Sequence, residues 1–129
     1  MREYTSECQD APCRPEGSVM TVAFRLAGHE FTALNGGPPF KFSEAISFQV
    51  FCDTQDEVDH FSDRLSEGGE QGSCGWVKDR FGLSWQIVPS VMNEMMRDPD
   101  SEKSERVVKA TMQMKRLDIA ALRRAYDGK

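Results

Sequence analysis

From Ser18 onward apolar and polar positions alternate. Met20, Val22, Phe24 and Leu26 fall on one parity, with Val19, Thr21, Ala23 and Arg25 on the other. A period of two predicts a strand. Ala27-Gly28-His29 supplies a turn, and Phe31–Asn35 reads as the return strand of a hairpin. Gly36-Gly37-Pro38-Pro39 then breaks the sheet, because proline has no N–H for a ladder. Ala45–Cys52 is the next predicted strand, with Ile46, Phe48 and Val50 on one face and Ser47, Gln49 and Phe51 on the other.

The period then changes. Thr54 and Glu57 have capping-box spacing, and Val58, Phe61 and Leu65 recur at i, i+3 and i+7, so a helix with one buried stripe is expected. Gly68-Gly69 ends it. A second hairpin follows, Cys74–Asp79 and Leu83–Val88, with Leu83, Trp85 and Ile87 opposite Ser84, Gln86 and Val88. Beyond Pro89 the pattern is helical: Val91–Arg97, a longer helix from Pro99 or Ser101 to about Lys115, and a last short helix capped by Asp118. Residues 1–17 lack a period. Arg2–Thr5 reads as the tail of a strand, and Pro12, Pro15 and Gly17 read as loop.

Gly28–Leu34 can be laid over Gly82–Val88, each following a strand and a glycine turn. Phe31 and Trp85 then share one parity, while Thr32 and Gln86 share the other. Two copies of one β-rich unit would leave this trace.

Composition narrows the class. With 129 residues, 39% hydrophobic and 29% charged, the chain has the make-up of one globular domain rather than a disordered or collagenous one. No apolar run approaches the ~20 residues of a spanning helix, so no membrane partner is expected. Met1–Glu16 is polar and does not read as a signal peptide, which points to the cytoplasm. Residues 1–99 carry 8 basic and 16 acidic side chains, residues 100–129 carry 8 and 5. The acidic body argues against nucleic acid as a partner, and the basic tail reads as the solvated face of helices.

Cys8, Cys13, Cys52 and Cys74 have no CxxC spacing, and His29 and His60 no HxxxH spacing, so neither supports a zinc site. In a reducing compartment the cysteines read as free thiols, although Cys8 and Cys13 are spaced for a disulfide, and Cys52 and Cys74 can approach across the sheet. His60 beside Asp56, Asp59 and Asp63 reads as a surface charge cluster. Met92, Met95, Met96, Met112 and Met114 gather in the helical tail, as packing or as a contact between copies.

Gly17–Val22, Phe31–Pro38, Glu44–Val50, Gly75–Gly82 and Ser84–Pro89 together closely resemble the PhnB-like family. That family is also labelled 3-demethylubiquinone-9 3-methyltransferase-like, and it belongs to the glyoxalase/bleomycin-resistance (vicinal oxygen chelate) superfamily. The resemblance covers about Gly17 to Tyr126. It implies an α+β fold of paired βαβββ modules curled around a cavity, with the first strand and helix missing here and with C-terminal helices added. Residues 1–17 would then be an irregular segment, residues 18–89 the glyoxalase-like β-rich domain, and residues 90–129 a helical extension packed on it. A homodimer is also implied.

Metal-dependent members of the superfamily hold a divalent ion with His and Glu on cavity-facing strands. The corresponding positions here are Ala45, Gln86 and Thr32. Amides and hydroxyls are poor ligands beside carboxylate or imidazole, so neither metal nor other cofactor is expected. If the helix covers Ile46, Phe48 and Val50, then Ser47, Gln49, Gln86 and Thr32 face the concave side. Asn35 stands at a strand end, and Trp76 floors the pocket. This lining suits hydrogen-bonded recognition of a small organic molecule. Pairing of Gln49 with Gln86 is the plainer alternative.

No catalytic residue stands out. Ser47 has no predictable His or Lys neighbour. Neither glycine pair lies between a strand and a following helix, as methyl-donor and dinucleotide loops do. Two other functions stay open: a metal-dependent enzyme using His29, Glu30 and Glu44, and a truncated, non-catalytic relative that only dimerises.

Overall fold

A computed structural model describes residues 1–3 and 14–129. The expectations for Cys8, Cys13 and the end of the Arg2–Thr5 strand lie outside the described residues. The chain divides into two compact units, Met1–Lys41 and Phe42–Lys129.

The first unit is a three-stranded antiparallel sheet of β1 (Arg2–Glu3), β2 (Val19–Leu26) and β3 (His29–Leu34), in that order. Thr21↔Leu34 through Leu26↔His29 pair without a break. Ala27 and Gly28 both take positive φ, 48° and 82°. Two such residues in succession give the turn whose twist matches a hairpin. One face carries Val22, Phe24, Phe31 and Ala33, with the Phe24 and Phe31 rings stacked 5.6 Å apart. The other carries Thr21, Ala23, Thr32 and the Arg25–Glu30 ion pair.

The second unit contains a complete βαβββ module: β4 (Ser47–Cys52), α1 (Gln55–Ser66), β5 (Glu70–Gln71), β6 (Trp76–Lys78) and β7 (Ser84–Pro89). Its sheet order is β4-β7-β6-β5, with β4 parallel to β7 and the other pairs antiparallel. The capping box forms as the spacing predicts. Glu57 N–H donates to Thr54 Oγ1 at 3.2 Å, and the Glu57 carboxylate accepts from Thr54 and Asp53 N–H at 3.4 and 2.7 Å. Gly68, at φ +74°, lies just past the helix.

The helix-facing side of the sheet holds the core. Cys52, Val58, Val77 and Ile87 are buried, with Val50, Leu65, Trp85 and Ile119 packed around them. Three expected core residues are not in it. Phe48 is half-buried and meets the Trp85 ring edge to face at 5.4 Å. Ile46 is 69% exposed, because pairing with β7 begins only at Ser47↔Ser84 and leaves Ala45 and Ile46 in a turn. Phe61 is partly exposed; the small Ser62 is buried instead, while the Phe61 ring sits edge-on to His60. The two-residue strand β5 is too short to show a period, and no pattern in the sequence marks it.

Helices α2 (Ser90–Met96), α3 (Ser101–Met112) and α4 (Ile119–Asp127) enclose a second cluster of Met95, Val107, Leu117 and Leu122. Met92 and Met114 pack against it, whereas Met96 and Met112 are exposed. Asp118 caps α4 by accepting from Ala121 N–H at 2.8 Å, and Asp100 caps α3. Gln55 on α1 ties the helical tail down: its side chain donates to Leu117 C=O at 3.1 Å and accepts from Ile119 N–H at 2.8 Å.

Cys52 and Cys74 are free thiols. Burial pushes the Cys52 thiol up to about 11, and the Glu57 and Asp53 carboxylates add to the effect. The native state therefore keeps a proton that the unfolded chain loses near its ordinary value of about 9. The stability this thiol contributes should be full below about pH 9 and lost as pH rises towards 11. Urea melts of the wild type and Cys52→Ala at pH 8 and pH 10.5 check this. The gap between the two proteins should narrow at the higher pH.

Candidate functional site

Parallel pairing of β4 with β7 sets the face of the sheet turned away from α1. The register Ser47↔Ser84 and Gln49↔Gln86 on one side, with Trp76↔Gln86 and Lys78↔Ser84 on the other, lays two rows across three strands. One row is Ser47, Ser84 and Lys78. The next is Gln49, Gln86 and Trp76.

These side chains are joined. Gln86 Nε2 donates to Ser47 Oγ at 2.8 Å, and Gln49 Nε2 donates to Gln86 Oε1 at 3.4 Å. Four of the expected lining residues, Ser47, Gln49, Trp76 and Gln86, thus share one face, and the two glutamines also pair with each other. A shallow concavity of about 170 Å³ opens beside them, lined by Glu44, Glu70, Gly72, Trp76, Val77, Lys78 and Ser84.

Thr32 and Asn35 belong to the first unit. Thr32 lies opposite Ala23 on the polar face of the hairpin, and the Asn35 amide donates to Val19 C=O at 3.0 Å.

The charged group in the second unit's concavity is one that local pattern missed. Lys78 Nζ donates to Glu44 Oε1 at 2.5 Å. That bond holds the Glu44 carboxyl below its usual range and the Lys78 amine above its own. Period two from Trp76 does place Lys78 on the open face, but Glu44 reaches it from a turn far away in sequence. Of the residues considered as metal ligands, Glu44 is thus bound to Lys78 and Glu30 to Arg25. Among the described residues no three His, Cys, Asp or Glu side chains converge.

Asp79 holds the turn into β7. Its Oδ1 accepts from Phe81 and Leu83 N–H at 2.9 and 3.0 Å, and its Oδ2 accepts from Trp85 Nε1 at 3.0 Å. Gly75, buried at φ +80°, aims the start of β6. Its N–H donates to Lys115 C=O at 2.7 Å, and its C=O accepts from Ile87 N–H at 2.8 Å.

A βαβββ module with its helix on one face and an open polar face opposite defines a vicinal-oxygen-chelate fold. The chain belongs to the PhnB-like, 3-demethylubiquinone-9 3-methyltransferase-like family within that class: the family model described as 3-demethylubiquinone-9 3-methyltransferase matches residues 1–88. A solved structure from Bacillus cereus, described as a putative 3-demethylubiquinone-9 3-methyltransferase, PhnB protein, is similar to it. The two are 30% identical, the match covers 69% of this chain and 75% of that one, and the TM-score is 0.54. The family match takes in the segment before Gly17 and stops short of the C-terminal helices. No curated protein matches the chain. No helix among the described residues is long and apolar enough to cross a membrane.

Proposed function

We propose that the second unit binds a small organic molecule on its open sheet face, without a metal, using Ser47, Gln49, Gln86 and Trp76. The observation that carries this is the hydrogen-bonded row Ser47–Gln86–Gln49 lying beside an indole and a concavity. Polar side chains held in a fixed order on a rigid sheet orient a ligand, and an aromatic surface supplies contact area.

The donor set does not fit a divalent ion. Ala45 offers no ligand atom, and Gln86 already uses both ends of its amide. The family name speaks of methyl transfer, and the sequence points away from it. The one strand-to-helix junction of the module runs through Asp53 and Thr54; it holds no glycine, and the Glu57 carboxylate and Thr54 hydroxyl occupy its N–H groups, so it lacks the glycine-rich loop of a methyl-donor site.

Gln86→Leu tests the reading. A thermal-shift screen of small aromatic carbonyl compounds should return ligands that raise Tm. The variant should lose that response while costing about 1 kcal/mol of stability. Ligand shifts unchanged in Gln86→Leu and in Trp76→Ala would overturn the assignment.

The chain is further read as a cytoplasmic homodimer. Val22, Phe24 and Leu26, each about 40% exposed on one face of β2, support association. Cys52 and Cys74, the cysteines among the described residues, are free thiols, which suits a reducing compartment. Light scattering on the purified chain checks the first point.

A further inference from the structure

We infer that Gln49, at the end of the amide row, selects a neutral ligand that carries a hydrogen-bond donor and acceptor side by side on one edge, as a lactam does. This rests on the reading of that face as a binding site.

Gln49, Gln86 and Trp76 stand on adjacent strands at matching register. The order of the bonds fixes what is left for a ligand. Gln86 gives an N–H to Ser47 and takes one from Gln49, so its amide is held from both sides. Gln49 uses one N–H in that bond. Among the described residues its Oε1 and second N–H have no partner, and its side chain is exposed. A side-chain amide presenting one acceptor beside one donor in a plane pairs in bidentate fashion with a donor–acceptor edge; this is how glutamine reads adenine.

Charge limits the class further. Lys78 is the one cation lining the concavity, and it is already bound to Glu44, with Glu70 also in the lining. Neither Gln49 nor Gln86 lines that concavity, so its charge acts only through the neighbouring row, where the Lys78 ammonium is already paired with Glu44 and is not free for an anionic ligand. A neutral ligand needs no free ammonium.

The test uses the full chain and three probes of one shape: quinolin-2(1H)-one, 2-methoxyquinoline and quinoline-2-carboxylate. Titration is followed by calorimetry and by the side-chain NH₂ resonances of Gln49 in NMR. The lactam should bind at least tenfold more tightly than the ether, which lacks the N–H, and than the carboxylate. It should shift the Gln49 resonances. Gln49→Leu, an exposed change that leaves the core alone, should reduce lactam binding to the level of the ether.

Equal binding of all three probes, or lactam binding unaffected by Gln49→Leu, overturns the edge-selection inference and leaves the face standing as a binding site. Failure of the lactam to bind, alongside screen ligands that Gln86→Leu abolishes, does the same. Failure of every probe, with no screen ligand sensitive to Gln86→Leu, overturns both readings together.

Discussion

Gly75→Ala is expected to destabilise the second unit by about 3 kcal/mol or more, with Tm falling by about 10 °C or more. A Cβ at this position would lie 2.7 Å from the Ile87 carbonyl oxygen and 3.0 Å from Leu117 Cδ1. The first neighbour is backbone of the central strand β7 and the second is a buried core side chain, so neither can step aside. The residue also sits at φ +80°, a conformation that costs an L side chain about 1–2 kcal/mol. Its N–H and C=O are both used, towards Lys115 and Ile87, so a shift that relieves the clash breaks hydrogen bonds. Gly82→Ala is the matched control. It has φ +84° and nothing within 4 Å of the added Cβ, so it carries the conformational cost alone. Urea unfolding of both variants separates the two contributions. Equal losses would mean that the close approach at Gly75 is not what excludes a side chain.

The contrast between these two glycines bears on what a sequence makes legible. Gly82 and Gly28 are readable as turn residues because each ends one strand before an alternating run, and both take φ above 80°. Their shared position at the hairpins leading into β3 and β7 is what the internal repeat predicts. Thr54 with Glu57, and Asp118, are likewise local signals: a cap needs only residues three apart. Gly75 carries no such mark, since what makes glycine necessary there is Ile87 and Leu117, twelve and forty-two positions away.

The candidate site divides the same way. Period two places Gln49 and Ser47 on one face of β4, and Trp76 and Gln86 on one face of their hairpin. Their meeting in one row depends on β4 running parallel to β7, a register that no local pattern encodes. The Glu44–Lys78 bond depends on that register and on the turn that precedes β4. Ile46 shows the reverse failure. Alternation continues one step past the point where a partner strand exists, so the pattern assigns to the core a residue that faces solvent.

Leu122→Ala should cost about 3 kcal/mol, within the range for a fully buried leucine truncated to alanine. Leu122 is completely buried with Val107 and Leu117, and Met95 closes the cluster. The side chain is the main apolar anchor of α4. The Arg106 side chain, donating to Ala125 and Tyr126 C=O at 2.9 and 2.8 Å, holds the far end of that helix. The effect should also travel to the site face. Leu117 packs on Leu122, and the segment just before it supplies the carbonyls of Met114 and Lys115 to the N–H groups of Cys74 and Gly75. Trp76 follows directly. A cavity at Leu122 should therefore speed hydrogen exchange at Cys74 and Gly75 as well as within α4, because both amides depend on a segment anchored by the same cluster. Leu34→Ala, at a 68% exposed position in the other unit, should leave these amides unchanged. If Leu122→Ala accelerates exchange in α4 alone, the helical tail packs on the module without helping to hold Trp76 in place, and its role is confined to stability.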